Sequence, residues 1–178
     1  QVKITTVSET AVNERQKVVI SLLKKLESDN TYGVGLGEEY KNIRFGLYAA
    51  EPLTAADGTE IPQDGLLEIV GIDENGLAVF TADVPAGAKL YVKEVATDAH
   101  YLLSDAIYPV AFDYEDVSVA FVQLVINNGE VIENTIIRGS IHGLKVDEDN
   151  TPVAGAVFGL FKANETEFTE ENALATAT

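Results

Sequence analysis

Turns constrain this chain more than any other feature. Short runs rich in Val, Ile, Tyr and Phe are separated by Asp57-Gly58, Asp64-Gly65, Asn75-Gly76 and Asn128-Gly129, dipeptides that reverse the chain within a few residues. Strand signals fall at 18–26, 43–50, 66–72, 77–81, 89–97, 107–113, 117–127 and 130–137. No helical segment of crossover length intervenes, so the pattern predicts an all-β sandwich rather than a parallel sheet. Residues 8–17 and 165–177 tolerate helix by composition, but neither is expected to form one.

With 178 residues the chain holds one domain or one and a half. Its apolar runs are all shorter than the roughly 18 residues of a membrane-spanning helix. Twelve Lys and Arg against 29 Asp and Glu leave a net charge of -17, which repels phosphate backbones and anionic bilayers and argues against nucleic-acid or membrane partners. The absence of cysteine removes disulfides, thiol nucleophiles and Cys-ligated zinc, while His100 and His142 leave little for imidazole chemistry. A sandwich-fold hydrolase would need a nucleophile and a base, and is disfavoured because His100 and His142 fall in different modules. The acidic runs 73–76 and 147–150 lack calcium-loop spacing and read as tight turns, so no metal or cofactor is assigned.

Self-comparison divides the chain. Asn42-Ile43-Arg44-Phe45-Gly46-Leu47-Tyr48 recurs as Gly155-Ala156-Val157-Phe158-Gly159-Leu160-Phe161, with Phe158 standing 113 positions after Phe45. Lys145 follows Lys24, and Asn134 follows Asn13, each by 121 positions. The first copy therefore carries a longer loop, 28–40. The repeat parses the chain into the closing strand of a preceding module (1–15), one complete module (16–138) and the opening part of the next (139–178), as expected of a tandem array. The start at Gln1 and the stop at Thr178 accordingly read as a piece of something longer.

Side chains alternate along a strand, so each face is every second residue. Val18, Ile20 and Leu22 lead to Lys24; Leu90 and Val92 lead to Glu94; Ile132 leads to Asn134. The lysine ends its row, whereas Ala96 continues the row of Glu94 and Ile136 that of Asn134; each apolar row thus carries a polar group whose burial alone would cost roughly 2 to 7 kcal/mol, and more if charged. If all three are inside, they should meet. Lys25 competes with Lys24 for this position, but the parity of Ile20 and Leu22 and the shared displacement of 121 favour Lys24.

Gly139-Ser140-Ile141-His142-Gly143-Leu144-Lys145-Val146-Asp147, followed by Pro152-Val153-Ala154-Gly155-Ala156-Val157-Phe158-Gly159-Leu160-Phe161, resembles the opening signature of the collagen-adhesin B-type (CnaB) repeat modules of Gram-positive adhesins and pilins. The middle module is similar at Phe45 to Tyr48, Asp73 to Phe80, Val84 to Gly87, Tyr91 to Glu94 and Glu133-Asn134. It departs at Ala99-His100-Tyr101, where a Gly-Tyr pair is common, and in the length of 117–127. The resemblance implies an immunoglobulin-like, prealbumin-like sandwich in which Lys24 and Asn134 join in a spontaneous isopeptide bond assisted by Glu94. A buried site disfavours ammonium and carboxylate alike, so a neutral amine becomes nucleophilic while the acid hydrogen-bonds the carboxamide oxygen and shuttles protons.

The expected function is a structural stalk module of a bacterial cell-surface adhesin or pilin, extracellular and anchored through another region. Its partners would be neighbouring modules of the same polypeptide. The alternative is a module that binds a host matrix protein or glycan through 32–40 or 53–64, where an exposed aromatic patch would be the sign. Extending the chain by about 80 to 100 residues, the remainder of a small sandwich, should add a second loss of ammonia at Lys145. A single loss with residues 139 onward well folded would leave the repeat and remove that crosslink.

Overall fold

The computed structural model describes residues 15–55 and 57–178; Asn13 lies outside them. The described residues fall into two compact units, one holding 15–28 with 34–137 and the other 29–33 with 138–178.

The larger unit is an all-β immunoglobulin-like sandwich. Strand β1 (Lys17–Leu26) is its spine, because it is long enough to take two different partners along one edge. Its first half pairs in parallel with β9 (Phe121–Val125), its last residues pair in parallel with β10 (Ile132–Asn134), and its other edge pairs antiparallel with β6 (Leu77–Phe80). The facing sheet has the order β5 (Leu66–Gly71), β2 (Arg44–Ala49), β7 (Ala88–Ala96), β8 (Ile107–Phe112), antiparallel throughout. Between the sheets pack Val18, Ile20, Leu22, Phe80, Val122 and Ile132 from the first, and Phe45, Leu47, Leu90, Val92, Val110 and Phe112 from the second. Each such side chain contributes about 1.5 to 3 kcal/mol by leaving water. The alternation in β1 and β7 follows from this one-sided burial, with outward positions left to Ser21, Lys25, Lys89 and Lys93.

Several strands depart from their sequence expectation for local reasons. Residues 117–120 lie outside β9 because the Asp116 side chain accepts hydrogen bonds from both the backbone and hydroxyl of Ser118, closing a turn in which Val117 is 91% exposed. The strand ends at Val125 because Asn127 and Asn128 take left-handed backbone, with φ of 56° and 54°, which asparagine tolerates. Beyond β10, Ile136 makes an isolated bridge to Tyr101. A small hairpin, β3 (Leu53–Thr54) with β4 (Glu60–Ile61), stands where no strand was expected, closed by the Asp57-Gly58 turn.

The repeated Phe-Gly-Leu-aromatic sequence has a physical basis. Tyr48 folds back so closely that a Cβ on Gly46 would meet its ring at 2.6 Å, and Phe161 covers Gly159 at 2.5 Å in the same way. Tyr48 also stacks on Tyr91, with ring centres 5.1 Å apart. In the smaller unit β11 (Phe158–Leu160) pairs antiparallel with β12 (Ala175–Ala177). Residues 165–174 form turns and coil, not helix. Phe158, Leu160 and Phe168 are exposed, and Phe168 meets Phe161 edge to face.

One turn touches the spine directly. Asp73 accepts backbone N–H bonds from Asn75 and Leu77 through its carboxylate, and Gly76 accepts the Lys24 N–H at 2.8 Å. Gly76 has a φ of 81°, and a Cβ there would lie 2.0 Å from the Lys24 carbonyl oxygen. Gly76→Ala should therefore destabilise the sandwich by about 3 kcal/mol through strain and displacement of β1. Chemical denaturation checks this, and an unchanged midpoint would show that the approach relaxes freely.

Candidate functional site

Three strands bring three polar side chains to one place. Lys24 sits near the end of β1, Glu94 near the end of β7 in the facing sheet, and Asn134 closes β10 beside β1. They are 4%, 4% and 2% exposed, and they are the buried polar residues of the core among the described residues. Because β1 and β10 run in parallel and pair Lys24 with Ile132, Asn134 lies one inward position beyond Lys24 and its side chain reaches back to the amine. Lys25 has the opposite parity; its side chain is 68% exposed and pairs with Glu133 at the surface.

The contacts are short. Lys24 Nζ donates to Asn134 Oδ1 at 2.6 Å and stands 3.6 Å from Glu94 Oε1. Asn134 Nδ2 donates to Glu94 Oε1 at 2.8 Å and to Thr97 Oγ1 at 2.9 Å. The backbone N–H of Ser104 holds the other carboxylate oxygen, Oε2, at 2.9 Å. The Phe45 ring centre lies 5.8 Å from Nζ and excludes water on that side.

Burial pushes the Lys24 amine below its usual range, against the opposing charge and hydrogen bonding of Glu94 and a smaller contribution from Glu133. An ammonium carries three protons to donate. One hydrogen bond and one longer ion-pair contact serve them here, so the neutral form gains by comparison. A neutral amine next to a carboxamide and a carboxylate can attack the amide carbon.

Glu94 differs from expectation in one respect: its near oxygen faces the carboxamide nitrogen, and the carboxamide oxygen faces Lys24. A donating amine selects Oδ1, and an accepting carboxylate selects the NH2 group. Strand parity could not have found Thr97, since it falls on the opposite face from Glu94 in an ideal strand. It reaches the site because β7 ends at Ala96 and the alternation ends with it. Ser104 contributes only its backbone, which carries no sequence signal.

The remaining sequence candidates lie elsewhere. Tyr32 is exposed, whereas Tyr40 packs against the core, so loop 32–40 presents no aromatic cluster. His100 hydrogen-bonds Asp98 at the surface. The acidic turns at Asp73 and Asp147 spend their carboxylates on backbone N–H groups. No His, Cys, Asp and Glu cluster among the described residues is arranged to hold a metal. No helix among them is long and apolar enough to cross a membrane.

No protein-family model matches the sequence, and no curated protein matches it. Similar solved structures include the TIE protein of Bacillus anthracis, 13% identical with a TM-score of 0.41 over 78% of this chain and 24% of that one. GBS52, the minor pilin of Streptococcus agalactiae, is 17% identical with a TM-score of 0.40 over 71% of this chain and 48% of its own. BcpA, the major pilin subunit of Bacillus cereus, is 19% identical with a TM-score of 0.35 over 67% and 30%. The chain thus spans less than half the length of each. At these TM-scores the likenesses carry no argument, and the fold rests on the strand order and packing above.

The depressed lysine has a consequence for pH. Between its folded value and 10.5, the unfolded chain holds a proton on Lys24 that the folded chain has lost, so stability rises with pH across that window. Glu94→Ala removes the carboxylate that opposes the shift. Its melting temperature should therefore climb as pH rises toward 10.5 relative to a Lys24→Met/Glu94→Ala double variant. Parallel curves for the two would show that the buried amine titrates as it does in water.

Proposed function

We propose that Lys24 and Asn134 close into an intramolecular isopeptide bond with the help of Glu94, and that the locked sandwich is a load-bearing stalk module of a bacterial cell-surface pilin or adhesin. The observation that carries this reading is the buried contact of the three side chains across 110 residues of sequence, with Nζ 2.6 Å from the carboxamide oxygen. The neighbours described as pilins belong to the class proposed; the triad supports the reading without them.

The reaction balances on this chain alone. The Nζ lone pair attacks the Asn134 carbonyl carbon and forms the new C–N bond. Glu94 Oε1, within reach of both nitrogens, takes a proton from Nζ and passes it to Nδ2. The Cγ–Nδ2 bond breaks and ammonia leaves. No oxidant, metal or cofactor is required, and the event occurs once per molecule, so the module is not a turnover enzyme.

The topology gives the bond a mechanical role. Tension applied at the start of β1 and at the end of β10 would shear two parallel neighbours. A covalent link at 24 and 134 carries that load straight across and leaves residues 25–133 outside the force path. By analogy with disulfides, closing a loop of 110 residues contributes roughly 4 to 5 kcal/mol through the unfolded state.

Intact mass of the folded protein tests the reading: wild type should weigh one ammonia less than its sequence. Lys24→Ala, Asn134→Ala and Glu94→Ala should keep the full mass, and Lys25→Ala should lose ammonia as wild type does. An unchanged wild-type mass rejects the crosslink. Glu94→Ala should fold yet melt lower, by about 15 °C for a domain of this size; ammonia loss at the normal rate would place the proton carrier elsewhere.

A further inference from the structure

The carboxamide of Asn134 is gripped by more than the two groups the crosslink chemistry requires. Its NH2 group has two protons, one donated to Glu94 Oε1 at 2.8 Å and the other to Thr97 Oγ1 at 2.9 Å. Glu94 is itself oriented, because the Ser104 N–H occupies Oε2 and leaves Oε1 as the oxygen that serves both Asn134 and Lys24. The terminal torsion of asparagine is soft and broad, and Nζ must give up its hydrogen bond to Oδ1 when it turns to attack the amide carbon, so Glu94 alone would then leave the amide plane free to swing. The two hydrogen bonds from Nδ2, in divergent directions, keep it fixed.

Resting on the crosslink reading above, we propose that Thr97 is a positioning residue for bond formation: it holds the Asn134 carboxamide with its leaving nitrogen on Glu94. The proton taken from Lys24 Nζ then has one short route, through Oε1 to Nδ2, and the nitrogen that receives it is the one whose bond to Cγ breaks as ammonia departs. The new Nζ–Cγ bond forms while the amide plane is still held. Thr97 exchanges no proton itself. Its hydroxyl accepts, and its effect passes through the orientation of Asn134.

The test is Thr97→Val, which keeps the shape and deletes the acceptor, beside Thr97→Ser, which keeps the acceptor. Each full chain is made by cell-free synthesis, and its intact mass is followed after synthesis stops, with circular dichroism to confirm folding. Thr97→Val should lose ammonia about 10- to 100-fold more slowly than wild type, the scale on which misplacing a reacting group acts. Thr97→Ser should restore most of the rate. A second comparison uses Asn134→Ala, which has no carboxamide to hold, with and without Thr97→Val; the two should melt within a few degrees of each other.

If wild type and Thr97→Val lose ammonia at the same rate, the inference is overturned while the crosslink stands. If Thr97→Ser is as slow as Thr97→Val, or Thr97→Val melts far lower in the Asn134→Ala background, the residue acts through general packing and the inference is again overturned. If wild type never loses ammonia, the crosslink reading falls and this inference falls with it.

Discussion

The structure depends on hiding a lysine, a glutamate and an asparagine between two apolar sheets. Any one of them alone would oppose folding, since an unpaired buried polar group costs several kcal/mol and a charge costs more. Together they satisfy one another: among the described residues no buried side-chain nitrogen or oxygen lacks a hydrogen-bond partner. The arrangement holds only if β1, β7 and β10 are all in register, because a one-residue slip in any of them would turn its polar group outward and an apolar neighbour away from the core. The cluster therefore ties the two sheets to one alignment and holds the Lys24 amine, out of water, against the Asn134 carboxamide.

The same burial sets stability and reactivity against each other. Excluding water weakens the ammonium form of Lys24 and strengthens its dependence on Glu94, which is poor design for an ion pair and good design for a nucleophile. Two backbone contacts and one aromatic ring supply the rigidity that such a site needs. Gly76 accepts the Lys24 N–H, Ser104 orients the carboxylate, and the Phe45 ring lies against the amine. A covalent product would replace a tense set of contacts with a single bond that no longer depends on protonation.

The parallel pairing of β1 with β9 and then β10 has a mechanical meaning independent of the chemistry. Terminal strands that run side by side in the same direction resist end-to-end tension in shear, with their hydrogen bonds loaded together. A covalent link close to the end of both strands, as proposed, would add to that resistance. The turn at Asn127 and Asn128 lets one edge of β1 serve two successive strands, and so brings Asn134 within side-chain reach of Lys24.

Much of this was legible in the sequence, for a definite reason. Parity along a strand follows from backbone geometry, so the rows that carry Lys24, Glu94 and Asn134 pointed inward as soon as those segments were strands, and Lys25 pointed outward by the same rule. Turn dipeptides placed most strand boundaries to within a residue or two because Gly and Asn adopt left-handed backbone that other residues avoid. What the sequence left undecided lay where alternation stops or where the backbone supplies the contact. Thr97 enters the site only because β7 ends one residue earlier. Ser104 acts through a peptide N–H that every residue except proline possesses. The orientation of the Asn134 carboxamide, and with it which atom faces Glu94, was decided by donors and acceptors that converge only after two sheets from distant parts of the chain have packed together.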